Sequence, residues 1–159
     1  MKTTYRILIV DDEENVRRML ATAFSLQGHE THCASDGKAA LSLFSETQPD
    51  VVLMDIRMPE MDGIDALKVM RTQQPRIPVI LMTAYAEVET AVEALRSGAF
   101  DYVIKPFDLD ELSMVIQRAL QLQEMKQEIR NLHKALSTSW QWGHILTTSP
   151  RMGWWSEYV

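Results

Sequence analysis

The chain is short of several things at once. Of 159 residues only Cys33 is a cysteine, so no disulfide can form within the chain and a reducing compartment is its natural setting. Basic side chains are the minority, 16 Lys and Arg against 22 Asp and Glu for a net charge of −6. They gather nowhere into the basic stripe that a nucleic-acid surface needs. Apolar runs are short: Ile7 to Val10, the first, ends in Asp11-Asp12 and is neither a signal peptide nor a membrane span. The expectation is a cytoplasmic protein that enters no membrane and contacts no DNA directly. Cys33 lies in an apolar stretch and reads as a buried small hydrophobe.

What is present is a soluble globular composition, 46% hydrophobic and 24% charged, long enough for one domain and a short appendage. Apolar runs alternate with helical periods five times. Ile7 to Val10 is the first strand. Glu14 to Gln27 is a helix with Val16, Met19, Leu20, Ala23 and Phe24 on one face, stopped at Gly28. Thr31 to Ala34 is a weaker strand, suited to an edge. Asp36-Gly37 opens a helix with Ala40, Leu41 and Phe44 inward, Gly63 opens another with Leu67 and Met70 inward, and Val79 to Met82 is the fourth strand. Glu87 to Ser97 is a helix expected to turn Val88, Ala91, Val92 and Leu95 to the core, and Phe100 to Ile104 is the fifth strand. This alternation implies right-handed crossovers and a parallel sheet covered on both faces. With the weak strand at an edge, the α/β class is flavodoxin-like, in strand order 2-1-3-4-5.

The stretch Val51-Val52-Leu53-Met54-Asp55 is apolar until its last residue, so it reads as a buried strand that delivers Asp55 to its carboxyl edge. Asp11 and Asp12 leave the first strand at the same edge, where such folds bind ligands. Thr83 leaves the fourth strand and Lys105 the fifth. Each has an ordinary reading alone: Asp11 and Asp12 oppose a helix dipole, Asp55 begins an Asx-turn, Thr83 caps a helix, Lys105 is a solvated strand end. Together they are more specific. Three crowded carboxylates need a counter-ion, and an all-oxygen site with few protein ligands suits Mg2+. A carboxylate beside such a metal can form an aspartyl phosphate, with Lys105 balancing the phosphoryl charge and Thr83 donating a hydrogen bond to it.

Val10-Asp11-Asp12-Glu13, the run Met54 to Gly63, Met82-Thr83-Ala84-Tyr85 and Lys105-Pro106-Phe107 together resemble the receiver domain of bacterial two-component response regulators. The runs Ala84 to Ala94 and Gly98 to Tyr102 are similar to the NtrC-type, sigma-54-dependent activators. The resemblance implies a CheY-like fold over residues 1–123 and a sensor histidine kinase as partner. It makes Asp55 the phosphoacceptor, makes Asp11, Asp12, Asp55 and the backbone carbonyl of Arg57 the Mg2+ ligands, and has Thr83 and Lys105 read the phosphoryl group. It further implies that Tyr102 is an aromatic switch, that the Lys105-Pro106 bond is cis, and that Arg57 and Tyr85 tune phosphoryl lifetime. A homodimer through the fourth helix, fifth strand and fifth helix (the 4-5-5 face) would report the state of the site.

Two other classes fit less well. A phosphohydrolase of the haloacid dehalogenase type needs a second acid two residues after the nucleophile, where Asp55 is followed by Arg57. A flavin or nucleotide module needs a Gly- or hydroxyl-rich phosphate loop after the first strand, where three acids stand instead.

Beyond Asp108 one helix is expected from Leu109 to Leu136, about 42 Å long. Leu112, Val115, Ala119 and Leu122 continue the face against the sheet. Leu122, Met125, Ile129, Leu132 and Leu136 then repeat at coiled-coil spacing. Residues 124–136 are read as a linker helix that pairs with a partner, or that folds back on its own domain. From 137 to 159 the period is lost, four tryptophans crowd the end, and an irregular tail is expected. The ATPase and helix-turn-helix domains of NtrC-type activators have no counterpart, since no G-x-x-x-x-G-K-[ST] occurs and the residues after Ser149-Pro150 do not follow the family. The expectation is a truncated product.

Overall fold

The computed structural model describes residues 4–84 and 87–143, with side chains as far as Thr138. Strands and helices alternate: β1 (Arg6–Val10), α1 (Glu14–Leu26), β2 (Glu30–Ala34), α2 (Gly37–Thr47), β3 (Val51–Asp55), α3 (Gly63–Gln73), β4 (Val79–Thr83), α4 (Val88–Arg96), β5 (Asp101–Ile104) and α5 (Leu109–Gly143). The strands form one parallel sheet in the order β2-β1-β3-β4-β5, the flavodoxin-like arrangement expected. β3 and β4 are buried at every residue, as continuous apolar runs in a sheet covered on both faces should be.

Alternation along each strand divides the core in two. Leu8, Val10, Val52, Met54 and Leu81 pack on one face with Phe44, Leu67 and Met70. Ile7, Ile9, Leu53, Ile80 and Met82 pack on the other with Leu20, Phe24, Leu112 and Ile116. The helices α2 and α3 begin alike: Asp36 accepts from the Ala39 N–H and Asp62 from the Asp65 N–H, each followed by a buried glycine in the first helical position. Such caps satisfy an orphan N–H and fix where each helix starts.

Four expectations are corrected. In α4 the fully buried residue is Ala94, whereas Val88, Val92 and Leu95 are exposed. The helix lays its small residue toward the sheet and turns its larger apolar ones out. Cys33 is exposed, because β2 is an edge strand with only Ala34 buried. Met19 and Leu122, read as inward, are exposed as well. Finally α5 runs to Gly143, past the loss of hydrophobic period at Ser137. Between Leu109 and Trp142 there is neither proline nor glycine, so nothing in the backbone breaks it.

The chain divides into two compact units between Gln123 and Glu124. In the second, Met125, Ile129, Leu132 and Leu136 are exposed. The tail from residue 144 lies outside the described residues. No helix among those described is long and apolar enough to cross a membrane.

Candidate functional site

β1 and β3 are neighbours in the sheet, but the helices that follow them, α1 and α3, pack on opposite faces, so a crevice is left at their carboxyl ends. Asp11 and Asp12 follow β1 directly, and Asp55 ends β3. One carboxylate oxygen from each of the three lies within 4.8 Å of the others. Asp11 and Asp55 are buried and Asp12 is exposed, which gives the cluster an open side. This donor set is all oxygen and anionic, the chemistry a hard divalent cation takes.

Lys105, carried in from the end of β5, lies 2.6 Å from Asp11 Oδ2 and 3.6 Å from Asp55 Oδ2. Its backbone N–H donates to the Thr83 carbonyl at 2.6 Å, which ties the ends of β4 and β5 together. The Lys105-Pro106 peptide is cis. Thr83 is buried at the end of β4, whose register puts Met82 opposite Asp55. Asp11, Asp12, Asp55, Thr83 and Lys105 thus all stand at one sheet edge, as their positions after apolar runs implied.

The electrostatics follow from the crowding. Burial, and then the Asp11 charge, push the Asp55 carboxyl up to about 6, with Asp12 adding to the rise. Lys105 and a hydrogen bond from the Arg57 backbone N–H oppose it. For Lys105, burial works against the charge, but the hydrogen bond to Asp11 and the charges of Asp55 and Asp11 outweigh it and raise its pKa. The ammonium is therefore locked on as the site's own counter-ion. One cation shared by three carboxylates leaves the site short of positive charge, and a divalent ion fits that deficit.

Around the site, Arg57 follows Asp55 with an exposed side chain 3.5 Å from Glu87 at the start of α4. Tyr102, on β5, is partly buried. Burial and the Glu87 charge raise its phenol pKa, against a hydrogen bond with the Glu87 backbone. Tyr85 lies outside the described residues. One neighbour, Arg17, escaped the sequence reading. Arg17 Nη1 donates to the Asp11 carbonyl at 2.7 Å, and Asp11 Oδ1 accepts the Glu13 N–H at 2.9 Å, so the first turn of α1 aims that carboxylate. Arg17 stands one turn beyond Glu13, and only that spacing could have marked it.

A family model described as "Response regulator receiver domain" matches residues 7–117. The chain belongs to the response regulator receiver family. It is 77% identical over 152 residues to the regulatory protein AtoC of Escherichia coli K12, covering 96% of this chain and 33% of that protein. It is 42% identical over 114 residues to the DNA-binding transcriptional regulator NtrC of Proteus hauseri, covering 72% of this chain and 24% of that one. Among solved structures, NtrX from Brucella abortus superposes with a TM-score of 0.78 at 38% identity, over 82% of this chain and 30% of that one. The chain thus spans about a third or less of the length of these relatives.

Proposed function

We propose that this receiver is the phosphoacceptor of a two-component phosphorelay, taking a phosphoryl group on Asp55 from a phosphohistidine of a sensor kinase. The observation that carries the reading is the convergence of three carboxylates within 4.8 Å with the Lys105 ammonium on the same cluster. Asp11, Asp12, Asp55 and the backbone carbonyl of Arg57 would hold Mg2+, which when bound would neutralise charge on the acids and on the incoming phosphoryl oxygens.

The remaining work falls to the chain itself. An Asp55 carboxylate oxygen attacks phosphorus, the P–N bond of the donor breaks, and the departing imidazole nitrogen keeps the bonding pair. Lys105 exchanges part of its contact with Asp11 for a phosphoryl oxygen, and the Thr83 hydroxyl donates to another. Charge at Asp55 goes from one carboxylate to a dianionic acyl phosphate. That difference favours arrangements in which Lys105 and Thr83 close on the site and Tyr102 turns inward between β4 and β5.

The apolar residues that α4 turns out, with Ile104 of β5 and Met114 of α5, are exposed and supply a surface for a homodimer on the 4-5-5 face. Residues 124–136 add a second seam through Met125, Ile129, Leu132 and Leu136. The likeness to AtoC suggests a sensor kinase of the AtoS type as donor, in the cytoplasm. In the full-length proteins the receiver would regulate sigma-54-dependent transcription.

Incubation with a sensor kinase pre-labelled on its histidine tests the reading. Label should pass to the wild type only with Mg2+, be released by alkali as an acyl phosphate is, and not pass to Asp55→Asn. Transfer to the variant as fast as to the wild type would refute the assignment.

A further inference from the structure

We infer that Gly63 is a positioning residue for the phosphoacceptor: the first turn of α3 presses on the end of β3 so closely that only a residue without a side chain fits, and that contact sets where Asp55 stands. A Cβ at Gly63 would overlap the Asp55 carbonyl oxygen and lie 3.0 Å from both the Asp55 carbonyl carbon and the Ile56 Cα. The Gly63 N–H donates to the Ile56 carbonyl at 2.7 Å, closing the contact from the helix side. All of these partners are backbone. None can swing aside as a side-chain tip would, so an added methyl must displace the Asp55-Ile56 peptide or the helix. The displaced peptide leads into Arg57, whose N–H donates to the Asp55 carboxylate. A shift here therefore moves the carboxylate and the donor that aims it.

The fold contains its own control. Gly37 opens α2 as Gly63 opens α3, after an Asp cap in each, and both glycines are buried. A Cβ at Gly37 would meet Cβ, Cγ and Sδ of Met61 each at 3.1 Å, a far milder approach than at Gly63, relieved when the flexible thioether moves and Cβ gives by a few tenths of an ångström. Alanine at either position gains the same intrinsic helix propensity. The two substitutions differ in whether the obstacle is the backbone of the phosphoacceptor.

The inference rests on the phosphoacceptor reading and is tested on the full chain as Gly63→Ala beside Gly37→Ala and the wild type. Circular dichroism follows folding, isothermal titration calorimetry follows Mg2+ binding, and intact mass follows phosphorylation by acetyl phosphate. A misplacement of about 1 Å costs on the order of 100-fold in rate. Gly63→Ala should therefore fold cooperatively, bind Mg2+ at least about tenfold more weakly and phosphorylate about 100-fold more slowly. Gly37→Ala should stay within about twofold of wild type on both.

If Gly63→Ala melts too low to assay, the series is repeated in trimethylamine N-oxide, which favours the folded chain. A folded Gly63→Ala with wild-type Mg2+ affinity and rate overturns the proposal. So does one that stays unfolded in the osmolyte while Gly37→Ala folds, since the glycine then supports the domain and not the site. A wild type that takes neither Mg2+ nor phosphoryl group would instead defeat the phosphoacceptor reading and, with it, this inference.

Discussion

At the residue scale the site is an arrangement of charges that oppose one another until a cation joins them. The Asp55 carboxyl is pushed to about 6 from an ordinary 3.8, so between those values the folded chain binds a proton that the unfolded chain has released. Stability from this group is complete below about pH 4 and is lost as pH rises through about 6. At neutral pH without metal, ionised Asp55 therefore costs roughly 1–3 kcal/mol. Asp55→Asn should be more stable than wild type by that amount in urea melts with EDTA at pH 7.5, and the difference should vanish near pH 4. A difference independent of pH would mean that the Asp55 carboxyl is not raised in the folded chain. Lys105 is the opposite case, a cation whose removal leaves buried Asp11 without its partner at 2.6 Å. Lys105→Met should destabilise the metal-free chain by roughly 3 kcal/mol, read in the same melts, and Mg2+ should recover much of that loss. The acids, Thr83 and Lys105 were legible in the sequence because each stands at the end of an apolar run or directly beside the residue that does. Arg17 and the close approach of Gly63 were not, since both depend on how α1 and α3 lie against the strand ends.

At the element scale, hydrophobic period locates a helix face but not what covers it. Leu20 and Phe24 of α1, Phe44 of α2 and Leu67 of α3 carry the inward period and are buried. Val88, Val92 and Leu95 show an equally clear period on α4 and are exposed, with Ala94 buried in their place. Likewise, the lack of breakers carries α5 to Gly143 although its apolar pattern ends sooner. On that helix the seam Met125, Ile129, Leu132 and Leu136 is exposed, while the polar side is engaged within the helix, as in the Gln127–Asn131 hydrogen bond at 3.1 Å. If the seam pairs two copies, Ile129→Glu with Leu132→Glu should shift sedimentation equilibrium toward monomer and leave the melting of the receiver unchanged, because these residues lie in the second unit. An unchanged molecular mass for a dimeric wild type would place the interface elsewhere.

At the scale of the whole molecule, the parallel sheet brings residues almost a hundred positions apart to one edge: Asp11 and Lys105 touch because β1 and β5 run the same way through one core. Strand order was readable from a single weak strand at the edge, and with it the crevice between β1 and β3 where the acids meet. The assignment of Asp55 is tested most directly by intact-mass spectrometry of the chain after incubation with acetyl phosphate and Mg2+, beside Asp55→Asn and an EDTA control. The expected result is a single phosphoryl adduct on the wild type, absent from the variant and from the metal-free sample. An adduct that persists in Asp55→Asn, or a folded wild type that takes none, would contradict the assignment.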